Sequence, residues 1–137
     1  MTKLQDPITL PNGTVLANRI AKSAMSENLS NKTHEPTTTL INAYKEWAKG
    51  GSGLLITGNV MIDSKALGEP MNVVIEDDRH AEKLQEWAAT VKGTDTQLWV
   101  QINHPGRQAM DQINNVLKAP SAIPLKSKGR KKATTKI

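Results

Sequence analysis

Two amphipathic helical patterns, each followed by a short apolar run, constrain this chain more than any other feature. From Pro36 to Lys49, the residues Leu40, Ile41, Tyr44, Trp47 and Ala48 recur at helical spacing and predict a helix with one apolar face. Gly50-Gly51 ends that pattern. Gly53-Leu54-Leu55-Ile56-Thr57 follows, a continuous apolar run suited to a strand covered on both faces. Asp77 and Asp78 are candidate N-caps of a second helix that extends to Val91, with Leu84, Trp87, Ala88 and Val91 on its apolar side. Lys92-Gly93 closes it. Gln97 to Ile102 then reads as a strand with Leu98, Val100 and Ile102 on one side, and the burial of Leu55, Val100 and Ile102 is expected to be incomplete.

Upstream, Ile8–Leu10 and Thr14–Leu16 flank Asn12-Gly13, which predicts a hairpin with a two-residue type I′ turn. Arg19 to Ser23 reads as a further short strand. The order is hairpin, strand, helix, strand, helix, strand. Strands alternating with helices imply crossover connections and a parallel sheet, so the fold class is α/β. From Ala109 onward the periodicity fades, and Pro120, Pro124 and the residues beyond read as loop.

The 137-residue length suggests one domain. The absence of cysteine excludes disulfides, thiolate catalysis and thiolate metal sites. His34, His80 and His104 lack metal-ligand spacing. Met1 to Leu10 is no signal peptide and no stretch suits a membrane span, so a soluble cytoplasmic protein is expected. The net charge is +5, but six of the 18 cationic side chains lie in Lys126, Lys128, Arg130, Lys131, Lys132 and Lys136. Without them the chain carries 12 positive against 13 negative groups. The basic character therefore belongs to residues 126–137, read as a solvated, disordered tail.

In parallel α/β folds ligands bind at the C-terminal ends of the strands. Three such ends carry small or polar residues: Ala24-Met25-Ser26-Glu27-Asn28, Thr57-Gly58-Asn59 and Gln101 to Gln108. No Gly-x-Gly-x-x-Gly or Gly-Lys-Ser/Thr phosphate loop is present. Gly50-Gly51-Ser52-Gly53 precedes a strand instead of opening a helix, so it is no phosphate cradle. His104 is read as ordering its own loop through the backbone, and Glu27 and Asp63 as surface or loop-ordering carboxylates.

These strand ends also carry a resemblance. Asn18-Arg19-Ile20-Ala21-Lys22-Ser23-Ala24-Met25-Ser26-Glu27-Asn28, Trp47 to Val60 and Gln97 to Gln108 resemble, in order, the first three strand regions of the Old Yellow Enzyme family of NAD(P)H:flavin oxidoreductases. Leu10-Pro11-Asn12-Gly13 and Ala119-Pro120-Ser121 fit as well. The resemblance implies the N-terminal portion of a (β/α)₈ TIM barrel, a hairpin plus three βα units, over residues 1–125. Such barrels need about 250 residues. The chain therefore resembles a truncated gene product, an incomplete sequence or an excised segment.

The resemblance further implies FMN as cofactor, NAD(P)H as reductant and a small activated alkene or enone as substrate. It assigns Ala24 and Met25 to backbone contact with the flavin, Ser26 to a hydroxyl contact near O4 and N5, and Gln101 to the pyrimidine edge, since an amide offers both a donor and an acceptor. Relatives carry Glu and then a small residue after the strand-two Thr, where Gly58 and Asn59 stand here. Both are candidates for the flavin contact, with Asn59 favoured over Gly58. The family's substrate-binding and phosphate-binding residues fall in later strands, so the chain alone is expected to be inactive and to bind FMN weakly. The rival readings are a small α/β binding module whose basic tail takes RNA or another anion, and an inert product of gene decay. The lack of aromatic residues near the tail weighs against nucleic acid.

Overall fold

The computed structural model describes residues 1–123, Lys126 and the backbone of Thr135–Lys136. The 126–137 run, expected to be a disordered tail, thus lies largely outside the described residues. The chain opens with a hairpin of β1 (Ile8–Thr9) and β2 (Val15–Leu16), paired Ile8 to Leu16 and Thr9 to Val15. Its turn corrects the type I′ expectation. Gly13 N–H donates to the Leu10 carbonyl and Leu10 N–H to the Thr14 carbonyl, which leaves a three-residue loop. Only Gly13 of the loop has a positive φ, at 86°. Pro11 at the first central position favours such a turn, with glycine taking the left-handed residue that follows.

Four strands form the main sheet. They are β3 (Ala21–Lys22), β4 (Leu54–Met61), β5 (Val73–Val74) and β6 (Gln97–Asn103). β3, β5 and β6 all run parallel to β4. β6 pairs along the whole of β4, from Leu54–Gln97 to Met61–Asn103. β3 pairs only at Leu54 and Leu55, and β5 only at Val60 and Met61. β3 and β5 therefore share the other edge of β4, one at each end, and the chain after Lys22 leaves that edge between them.

Helix α1 (Thr38–Lys49) starts two residues after Pro36 because Thr37 caps it, its hydroxyl accepting from Leu40 N–H at 3.3 Å. α2 (Ala81–Ala88) is shorter than expected and continues as a 3₁₀ turn over Ala89–Val91. The Asp77 and Asp78 side chains do not cap it. His80 is the N-cap residue, and the Asp77 carboxylate is drawn to Arg79 instead. The main core joins Leu40, Ile41, Tyr44 and Ala48 of α1 to Leu55 and Val60 of β4, with Val73 and Trp87.

Leu55 is fully buried, against expectation, because α1 covers it. Val100 and Ile102 remain 46% and 71% exposed. They stand two and four residues beyond Leu98, which pairs with Leu55, so they share its helix-bearing face but lie beyond the reach of α1 and α2. Residues 109–119 form an ordered loop. Asn114, 3% exposed, donates to the Leu67 and Met110 carbonyls and accepts from Leu67 N–H. The loop leads to β7 (Lys118–Ala119), which pairs with β8 (Thr135–Lys136).

Candidate functional site

The site is set by an irregularity in β4. Ile56 pairs with Trp99 and Asn59 with Gln101, so Thr57 and Gly58 together oppose the single residue Val100. This is a β-bulge, which shifts the side-chain alternation by one. Leu55 and Val60, five residues apart, consequently share the helix-covered core. Asn59 turns to the face of Gln101. A regular strand would point Asn59 the same way as Leu55, into that core.

Thr57 repairs the ladder at the bulge. It is fully buried, and its hydroxyl accepts from the Gln101 backbone N–H at 3.0 Å while donating to the Gly58 carbonyl at 2.9 Å. Gly58 is required by its neighbour. A Cβ there would run into the Met25 carbonyl oxygen and lie 2.8 Å from Glu27 Oε2. The segment after β3 thus crosses directly over the bulge.

The five residues singled out in the sequence gather around this crossing. Ala24, Met25 and Ser26 lie on the crossing segment. Asn59 Nδ2 donates to Ser26 Oγ at 3.3 Å, which leaves the Ser26 hydroxyl proton free to be donated elsewhere. Gln101 is the register partner of Asn59, and its exposed side-chain amide makes no hydrogen bond among the described residues. Met25 is 54% exposed. The result is a surface of one backbone segment, one hydroxyl donor and one free amide.

Beneath it sits a charged cluster that the sequence reading missed. Lys22 Nζ donates to Glu27 Oε1 at 3.0 Å and to the carbonyls of Ser23 and Ile56, each at 3.2 Å. It also lies over the rings of Trp47, at 4.7 Å, and Tyr44, at 5.4 Å. The Tyr44 hydroxyl donates to the same Glu27 oxygen at 3.1 Å. Burial, and then the Glu27 carboxylate, push the Tyr44 hydroxyl well above its ordinary pKa. The available signal was Lys22, set among the small and apolar residues Ile20, Ala21, Ser23 and Ala24, ahead of a Glu five residues on. His104 behaves as read, its Nδ1 accepting from Gly106 N–H at 3.1 Å. The loop it orders faces residues Ala119–Ser121 and Ile123 across an open crevice of about 420 Å³.

A parallel sheet with helical crossovers and its polar groups at the C-terminal strand ends defines the chain as a βα-repeat unit of the parallel α/β class. Residues 3–136 match the model of the NADH:flavin oxidoreductase / NADH oxidase family. The chain is 41% identical over 106 residues to the NADH-dependent flavin oxidoreductase iliE of Hypocrea jecorina (strain QM6a), covering 74% of this chain and 26% of that protein. It is 37% identical over 110 residues to the NADH-dependent flavin oxidoreductase iccE of Talaromyces variabilis, covering 77% and 27%. The old yellow enzyme homologue from Zymomonas mobilis has the same fold, with a TM-score of 0.79 at 22% identity over 98% of this chain and 39% of that one. The chain belongs to the NADH:flavin oxidoreductase / NADH oxidase family, and it spans about a quarter of the length of the two fungal relatives.

Proposed function

We propose that this chain forms one wall of the FMN site of an NAD(P)H-dependent oxidoreductase that reduces activated alkenes or enones. The observation that carries the reading is the convergence of Ser26, Asn59 and Gln101 on one face, through the β4 bulge. Their chemistry suits the edge of a flavin ring. Gln101 offers a free donor and acceptor to the pyrimidine, and Ser26 a free hydroxyl proton for the O4–N5 side. Ala24 and Met25 present backbone and a half-open apolar surface on which a flat ring can pack. Asn59 holds the Ser26 oxygen and so directs its proton outward. FMN, when bound, supplies hydride chemistry between NAD(P)H and the electron-poor double bond.

Family membership and the NADH-dependent names of the relatives support this assignment. The reading places the protein in the cytoplasm, where nicotinamide reductant is supplied. No helix among the described residues is long and apolar enough to cross a membrane.

The test is a fluorescence titration of the 137-residue chain with FMN and with lumiflavin, which has the ring but no ribityl phosphate. Because the proposed contacts are all to the ring, the two should bind weakly and comparably. The chain should purify without stoichiometric flavin, and Gln101→Ala should weaken both ligands alike. Failure of lumiflavin to bind where FMN binds would contradict the assignment.

A further inference from the structure

The Lys22–Glu27–Tyr44 cluster is poorly explained as a device for stability. The two charged side chains are only 12% and 11% exposed, so removing them from water is costly. Replacing such a pair by apolar residues of similar volume is often neutral or stabilising. Its position is more informative. The pairing of β3 with β4 ends at Lys22–Leu55, and the next residues, Ser23 to Ser26, run without a ladder. Lys22 grips the start of this stretch through the Ser23 carbonyl and ties it to β4 through the Ile56 carbonyl. Glu27 closes the stretch from its far end, one residue past Ser26, anchored both to Lys22 and to α1 through Tyr44.

We propose that Glu27, clamped between Lys22 and Tyr44, is a positioning residue that fixes the Ala24–Ser26 segment over Gly58 and thereby aims the Ser26 hydroxyl. Glu27 touches no ligand itself and acts through Ser26. This inference rests on the flavin-wall reading above.

The clamp predicts that stability and ligand binding separate. The variant carrying Lys22→Met, Glu27→Leu and Tyr44→Phe together removes every charge and donor of the cluster at similar volume. It should unfold in urea no earlier than the parent chain, yet bind lumiflavin about two- to tenfold more weakly, the worth of one neutral hydrogen bond. Ser26→Ala alone should cost about the same, and adding it to the triple variant should cost nothing further. A triple variant that binds like the parent, or losses that multiply when Ser26→Ala is added, would overturn the clamp and leave the flavin reading standing. Lumiflavin binding unaffected by Ser26→Ala would overturn the flavin reading, and the clamp with it.

If the triple variant does not fold, Glu27→Gln, which keeps the shape and removes the charge, takes its place in the same cycle. A second readout needs no flavin. Tyr44 is the only tyrosine, so ultraviolet titration follows it alone. Glu27→Gln should lower the pH at which it ionises, and an unmoved titration would show that the Glu27–Tyr44 contact is absent in solution and overturn the proposal.

Discussion

Gly58 lies beneath the backbone of Met25 and beside Glu27 Oε2, so an added methyl group has nowhere to go. Gly58→Ala should therefore lift the Ala24–Ser26 segment and cost about 1–3 kcal/mol by overpacking. An unchanged urea midpoint would mean that the segment does not press on the bulge. Tyr44 gives a pH prediction. Its raised pKa means that the unfolded chain ionises first. Stability should hold below the ordinary phenol value of 10.0 and be lost as pH rises from there towards the higher folded value. Urea midpoints measured from neutral to alkaline pH should fall less steeply for Tyr44→Phe than for the parent, and parallel curves would refute the burial of an intact phenol. The three strand-end segments that hold Ser26, Asn59 and Gln101 stand out in the sequence as polar residues after apolar strands, whereas the choice of those individual residues came from the family resemblance. The roles of Gly58, Lys22 and Tyr44 were not legible. Their importance arises where one segment crosses another, and no local pattern records that crossing.

Among the elements, β4 has the greatest influence on the site. From sequence it ends at Thr57, because Gly58 and Asn59 are poor strand formers. In the fold it runs to Met61, and those two residues mark a bulge within the strand. Thr57→Val keeps the shape and deletes the hydroxyl that accepts the Gln101 N–H. The expected loss is about 1–3 kcal/mol, that of an unsatisfied buried partner. Faster amide hydrogen exchange at Gln101 would locate the damage, and Thr57→Ser should restore protection. Exchange at Gln101 unchanged in Thr57→Val would show that the bulge needs no side-chain support. The helices were more legible than their starts. The apolar face of α1 matched its periodicity, whereas the start of α2 depended on Asp77 turning to Arg79, a pairing that propensity alone does not reveal.

At the scale of the molecule, the helix-bearing face is covered over β4 and bare over the far half of β6. Val100 and Ile102 are 46% and 71% exposed there, on a strand whose outer edge is unpaired among the described residues. Such an edge is a template for association. The chain by itself should therefore scatter light increasingly with concentration, and Ile102→Lys should suppress this. A dilute and a concentrated solution with the same monomeric mass would contradict the expectation. The α/β class was readable from the alternation of helical and apolar runs, because those periods reflect the packing of whole elements, and the barrel only from the family resemblance. Which surfaces stay open was not readable, since it depends on how far α1 and α2 reach across the sheet. A chimaera decides whether this segment builds the flavin-facing wall of an oxidoreductase barrel. Residues 1–121 replace the matching segment of a full-length family member, and the flavin reduction potential is measured with and without Ser26→Ala. The expected product is a yellow, FMN-bearing protein whose potential falls by about 30–60 mV on Ser26→Ala, the two-electron equivalent of about 1.5–3 kcal/mol for a hydrogen bond to the charged, reduced ring. A folded but colourless chimaera, or a potential that Ser26→Ala leaves unmoved, would contradict it.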